Sequence, residues 1–279
     1  MLKGIKKLIT LFSLYYLWKA VMKQMHQSFF MNEKIYPITI WNINKFCKVN
    51  KSTPWMSISF KLRGYIEKWT SLFFIKNINK QDVFLDIWAN IWYFSLICSE
   101  LVGEKGKVYA FEPVKNNIKS LEENININNI SNIKVYDFAL GNDNTNLNIN
   151  IDPDNSAVNS ILVNKWKSVS EKIKIKKFDD LEITDEKIKF LKIDVEWYEY
   201  EVLKWMENFI KRKNNLNIVM EFSPLFYKQI GIDPDEFIEY IYKFWFDTYK
   251  ILSNGDIKNI NLYEYTKIYQ MNILLKKDW

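Results

Sequence analysis

The chain has 279 residues, 48% of them hydrophobic and 16% aromatic, enough for one large domain with a substantial core, with or without an extension. Its net charge of +6 is spread over Lys-rich segments such as Lys3, Lys6, Lys7 and Lys172 to Lys177, which read as solvated faces; without a nucleic-acid-binding signature, nucleic acid is not an expected partner. Two distant cysteines, Cys47 and Cys98, argue against a disulfide framework and for a reducing, cytoplasmic compartment, and the single histidine, His26, argues against a multi-His metal centre or a His-based triad.

Leu8 to Met22 is apolar between lysines, but Lys19 limits its longest clean run to about 11 residues, short of the roughly 20 that span a membrane. The segment reads as an amphipathic helix, packed on the domain or a second subunit, or else lying in a membrane interface with Tyr15, Tyr16 and Trp18 at the boundary. No small-residue cleavage pattern follows it, which argues against a signal peptide. Ile35 to Phe60 reads as irregular structure with short strands such as Pro37 to Trp41, and Tyr65 to Phe74 as a helix. Val83 to Leu85 is a short apolar run suited to a buried parallel strand; it delivers Asp86, turns, and continues as a helix with Phe94, Leu96, Ile97 and Leu101 on its apolar positions. A second strand, Lys107 to Phe111, ends in Glu112-Pro113, and an acid there, roughly 20 residues past the turn, is placed to grip a ribose diol.

Further on, the pattern predicts a helix over Asn116 to Asn128 and a third strand over Ile133 to Ala139. A hairpin strand follows within Asn142 to Ile151, then a polar surface loop from Asp152 to Val169, an alternating segment from Ile173 and a short turn or helix from Phe178. Ile188 to Asp194 is a strong strand, Glu199 to Ile210 a helix, Asn217 to Glu221 a strand and Pro234 to Phe244 a helix with proline at its start. Thr248 to Leu252 and Tyr269 to Leu275 form a closing pair. Strands separated by helices predict an α/β fold with a mainly parallel sheet. Lys192, Asp194 and Glu196 alternate at a strand end, so period two puts them on one face at the carboxyl edge of the sheet, with Glu221 at the next tip. One of these acids could take a proton from a substrate hydroxyl; each could equally serve as an ion pair or a cap, and two or three together could hold a divalent cation, which the sequence does not require.

Three stretches, Asp86-Ile-Trp-Ala-Asn-Ile-Trp, Ala110-Phe-Glu-Pro and Lys192-Ile-Asp-Val-Glu-Trp-Tyr-Glu, resemble the motifs D-x-G-A-N-x-G, A-F-E-P and K-x-D-x-E-G-x-E of the FkbM family of S-adenosylmethionine-dependent methyltransferases. The resemblance runs from about Gly64 to Leu275, which makes residues 1–63 an N-terminal extension and 64–279 the methyltransferase domain. It implies a Rossmann-like class I methyltransferase fold: a seven-stranded, mainly parallel sheet with an antiparallel last strand and helices on both faces. It also implies S-adenosylmethionine as cofactor, and methylation of a hydroxyl on a sugar, glycan or other small metabolite. By the same resemblance Asp86, Trp88, Ala89 and Asn90 lie beside the methionine part, Glu112 with Pro113 at the ribose, and Asp137, Phe138 and Ala139 near the adenine. Glu112 could instead be a surface acid, and Asp137 a strand-end cap. Asp194, Glu196 and Glu221 are the candidate bases. A nicotinamide-dependent oxidoreductase is disfavoured because its G-x-G-x-x-G is missing from the turn.

The turn is anomalous. Trp88, Trp92 and Trp197 stand where the family motifs have glycine, and Trp205 and Trp245 occupy further places suited to glycine. The chain has 11 Trp and 7 Gly; the 18 together would match an average glycine usage of about 7%. Two explanations follow: a Trp-filled, non-catalytic pocket, or UGA codons rendered as tryptophan in a lineage that reads them as glycine.

Overall fold

A computed structural model of the chain describes residues 34–49, 54–90, 92–151, 169–181, 183, 187–195 and 197–278. The amphipathic segment 8–22, the loop 152–168 and Glu196 lie outside the described residues. Two compact units are present, Met1–Ile66 and Glu67–Trp279.

In the first unit, β1 (Lys34–Ile40) and β2 (Ile43–Val49) form an antiparallel hairpin, followed by α1 (Pro54–Arg63). Period-two alternation buries Tyr36, Ile38 and Ile40 and turns Ile35, Pro37 and Thr39 outward. The hairpin closes through Trp41 and Asn42.

The second unit opens with α2 (Lys68–Asn77), β3 (Val83–Ile87), α3 (Tyr93–Val102), β4 (Lys107–Phe111), α4 (Lys115–Ile127) and β5 (Ile133–Tyr136). Then come β6 (Ala139–Leu140), β7 (Thr145–Ile151), β8 (Val169–Lys176) and β9 (Ile188–Ile193). The chain continues through α5 (Glu199–Trp205), α6 (Glu207–Arg212), β10 (Asn215–Phe222), α7 (Pro224–Gln229) and α8 (Pro234–Lys243). It ends with β11 (Asp247–Ile251), β12 (Ile257–Asn259) and β13 (Met271–Asp278). One sheet has the order β12-β11-β13-β10-β9-β3-β4-β5, with β13 antiparallel to both neighbours. This is the Rossmann-like class I methyltransferase sheet that the resemblance implied, seven strands with an antiparallel last one, extended by the three-residue β12. A separate sheet joins β6, β8 and β7.

Three expectations are corrected. The stretch 35–60 is not irregular, since it carries the seven-residue strands β1 and β2 and most of α1. The third strand ends at Tyr136 rather than Ala139: Ala139 and Leu140 leave the large sheet and pair with Ile175 and Lys176 of β8. The helix expected over 199–210 is two helices, since Met206 ends α5 and starts α6 with φ −98° and ψ 11°.

From β3 the chain steps outward through β4 to β5, then returns to the other side of β3 with β9 and β10. The loops leaving β3 and β9 therefore diverge, and this switch point opens a ligand crevice at the carboxyl ends. Every residue of β3 is buried, as a strand covered on both faces requires. Below the crevice Phe74 of α2 meets Phe84, Phe94 and Phe190 edge-on at centroid distances of 5.1, 5.6 and 6.5 Å. Such pairs add directional stabilisation to the area they bury. Phe74→Ala should lower unfolding free energy by about 3–5 kcal/mol, read as a fall in the urea midpoint at constant m-value.

Candidate active site

The first turn of the crevice follows β3. Trp88, Asn90 and Trp92 have φ of 65°, 42° and 57°, so the backbone reverses through left-handed residues. Ala89 N–H donates to the Phe111 carbonyl (2.9 Å) and Trp92 N–H to the Ala89 carbonyl (2.7 Å), which ties the turn to the tip of β4. Trp92 is the N-cap of α3 and makes no side-chain cap hydrogen bond. Glu112, one residue past β4, is fully buried, with Pro113 buried beside it. Its carboxylate accepts from Asn90 N–H (2.7 Å), Val114 N–H (2.8 Å) and the Asn117 amide (3.3 Å). Burial outweighs these donors and pushes its pKa up to about 7. Asp86 lies within β3 rather than beyond it; it accepts from Ser95 Oγ at 2.6 Å, and burial raises its pKa to about 6.

On the other side of the switch point an acidic group surrounds one cation. Lys192 of β9 is 1% exposed, and its Nζ lies 2.8 Å from Asp194, 4.0 Å from Glu67 and 5.1 Å from the Phe94 ring centre. Asp86 faces Lys192 in the β3–β9 register. Glu67, just before α2, also accepts from Asn272 Nδ2 at 2.8 Å; burial holds its pKa above the usual carboxylate range. Half-buried Glu221, on β10, accepts from Ser223 Oγ (2.7 Å) and from Gln270 Nε2. Burial first, then the charges of Asp194 and Glu199, push its pKa up to about 8. Glu199, buried at the start of α5, accepts from Val195 N–H (3.3 Å), Trp197 N–H (3.4 Å) and Tyr227 Oη (3.1 Å), and burial raises its pKa to about 7. Glu67 and Glu199 were not among the residues singled out from sequence. Glu199 is the last acid of the third motif, and that was its available signal; Glu67 belongs to no motif.

On the β4 side, Asp137 is exposed, with its carboxylate 2.6 Å from Lys174 Nζ, whereas Phe138 and Ala139 are buried. A cavity lined by Trp88, Phe111, Ala139, Leu140, Tyr198 and Trp205, among others, has space of only about 10 Å³, roughly one water. Trp197 stacks on Phe226 at 4.6 Å.

An open, mainly parallel sheet with an antiparallel last strand, an acid after its second core strand and an acid-lined crevice at the switch point define a class I methyltransferase architecture. The Methyltransferase FkbM domain matches residues 79–251, well over half the chain, and the chain belongs to this family, whose cofactor is S-adenosylmethionine. No curated protein sequence matches it. Among solved structures it is similar to a precorrin-6y C5,15-methyltransferase from Geobacter metallireducens GS-15, at 11% identity and TM-score 0.42 over 76% of this chain and 87% of that one. It is similar to a methyltransferase FkbM from Methylobacillus flagellatus KT at 15% and 0.41, over 82% and 56%. It is also similar to an S-adenosylmethionine-dependent O-methyltransferase from Thermotoga maritima at 12% and 0.41, over 85% and 74%. These TM-scores are all below 0.5, so the assignment rests on the family match. Among the described residues no group of three or more His, Cys, Asp or Glu is arranged to hold a metal ion, and no helix is long and apolar enough to cross a membrane.

Trp88 and Trp205 stand in the lining of the small cavity beside the turn, where their indoles occupy space.

The raised carboxyls have a thermodynamic consequence. Asp86, Glu112, Glu199 and Glu221 bind protons more tightly in the folded than in the unfolded chain. Their stabilising contribution is complete below the unfolded pKa and is lost as pH rises through about 6 to 8. Tm should fall between about pH 5.5 and about pH 8.5, and Glu221→Gln should flatten the upper part of that fall, measured by scanning calorimetry.

Proposed function

We propose that this protein methylates a hydroxyl oxygen of a sugar, glycan or other small metabolite. The supporting observation is the acid pair Asp194 and Glu221, just past β9 and near the end of the adjacent β10, at the carboxyl edge of the sheet and across the switch point from the Asp86–Trp92 turn. The cofactor supplies an activated methyl group. What the chain must add is orientation of the acceptor and removal of its hydroxyl proton. No histidine occurs among the described residues, so a carboxylate takes that role. Glu221, with its pKa near 8, is matched to accept a proton close to neutral pH, and Asp194, held by Lys192, orients the acceptor hydroxyl. Glu196, in the same motif, is the remaining candidate base. Glu112 grips the ribose, Asp86, Ala89, Asn90 and position 88 face the methionine part, and Pro113, Asp137, Phe138 and Ala139 bound the adenine side.

The indoles of Trp88 and Trp205 in the cavity lining favour a second reading, a non-catalytic descendant of the family. Calorimetric titration with S-adenosylmethionine and with NAD, followed by a screen of acceptors with methyl-labelled cofactor, tests the first reading. Label on a saccharide or metabolite hydroxyl is expected. Label on nitrogen, or none in a chain that binds the cofactor, overturns it.

In a chain that binds the cofactor, Glu221→Gln and Asp194→Asn should lower kcat by about 10²–10⁴-fold while leaving cofactor affinity nearly unchanged. Glu112→Ala should do the reverse, weakening S-adenosylmethionine binding roughly tenfold to a hundredfold by calorimetry.

A further inference from the structure

Trp41, Trp88, Trp92, Trp197 and Trp245 have φ of 55°, 65°, 57°, 78° and 63°. They are five of the nine non-glycine residues with positive φ among the described residues; the others are Glu67, Gln81, Asn90 and Asn129. Asparagine visits this region readily, but a bulky side chain does so at a steric cost, and glycine is the residue the region favours. The other described tryptophans, Trp55, Trp69 and Trp205, lie in helices and outside the left-handed region. Trp205 was singled out from sequence, but no backbone argument attaches to it.

A pocket silenced by indoles accounts for Trp88, and by position for Trp92 and Trp197, which sit in the two turns beside the crevice without lining the cavity. It does not account for the other two. Trp41 is the first residue of the two-residue turn between β1 and β2, 74% exposed, and the next residue, Asn42, is not left-handed. That is the place where a type II′ hairpin turn takes glycine. Trp245 follows the C-cap of α8, donates its N–H to the Tyr242 carbonyl at 3.0 Å, and is 71% exposed. That is the C′ place at which helices commonly end in glycine. Neither residue lines the cavity, and neither buries its ring. What the five share is a backbone conformation.

We infer that all five positions are glycine in the protein as its source organism makes it, encoded by UGA codons read there as glycine and rendered as tryptophan in this sequence. The inference rests on backbone angles and does not depend on the proposed reaction. It also bears on cofactor binding, because glycine at position 88 removes an indole from the cavity lining and exposes the turn backbone.

The gene itself is the first test. UGA at all five positions is expected, and UGG at any one of them overturns the proposal. Mass spectrometry of the protein from the source organism should find the mass of glycine at these positions, and the mass of tryptophan overturns it. A stability comparison then tests the backbone argument without reference to codons. In the chain expressed as written, Trp41→Gly and Trp245→Gly should each raise Tm by roughly 2–4 °C. Trp69→Gly should lower it, since Trp69 is 51% exposed within α2, where glycine is unfavourable. If the chain as written does not fold, the chain carrying all five Trp→Gly substitutions should, with a cooperative thermal transition. No gain at Trp41 or Trp245, or no cooperative transition in that variant, overturns the inference.

Discussion

The buried ammonium of Lys192 is the constraint around which the carboxyl edge of the sheet is built. A lone cation in the interior is costly, and it persists only if paired and satisfied. Lys192 is satisfied by contributions from well-separated parts of the chain: Asp194 beyond its own strand, Glu67 before α2, Asp86 across the sheet on β3 and the face of Phe94 on α3. Asn272 of β13 joins this set by donating to Glu67. One charge thus fixes α2, α3, β3, β9 and β13 in a single arrangement. Removing one acid would leave a buried charge short of its partners, which is why the cluster constrains the architecture more tightly than a count of ion pairs suggests.

Burial opposes ionisation of the nearby acids, and the charge of Lys192 works against that effect at Glu67, Asp86 and Glu221. Asp194 and Glu67 are the lysine's nearest partners, while burial, and after it the charge of Asp194, raises the pKa of both Glu199 and Glu221 towards neutral pH. Burial thus leaves Glu199 and Glu221 able to hold or release a proton near neutral pH beside the Lys192–Asp194 ion pair.

Much of this arrangement was legible in the sequence, and the gaps have physical reasons. Apolar runs ending in acids located β3, β4, β9 and β10 and placed Asp86, Glu112, Asp194 and Glu221 at one edge, because strand period and strand ends are local properties. The early end of β5 was not legible. Ala139 leaves the large sheet to pair with Ile175, a partner far along the chain that no local pattern reveals. Glu67 escaped notice for the same reason, since its meaning comes from Lys192 and Asn272. The break at Met206 escaped because the apolar spacing runs on through it. Trp41 escaped because Trp-Asn does not read as a hairpin turn, whereas Gly-Asn would.

The sheet also has two ends, and their dimensions bear on how the protein behaves in a crowded solution. Its outermost strands are β12, three residues long, and β5, four residues long. Each carries an exposed lysine, Lys258 on one and Lys134 on the other. A strand from another molecule needs a run of backbone groups to extend a ladder, and a short edge bearing a charge offers little for it to register against. The long apolar strands that build the core, β10 and β13 among them, are kept to the interior of the sheet, so the segments most able to seed intermolecular β-structure are shielded in the native state.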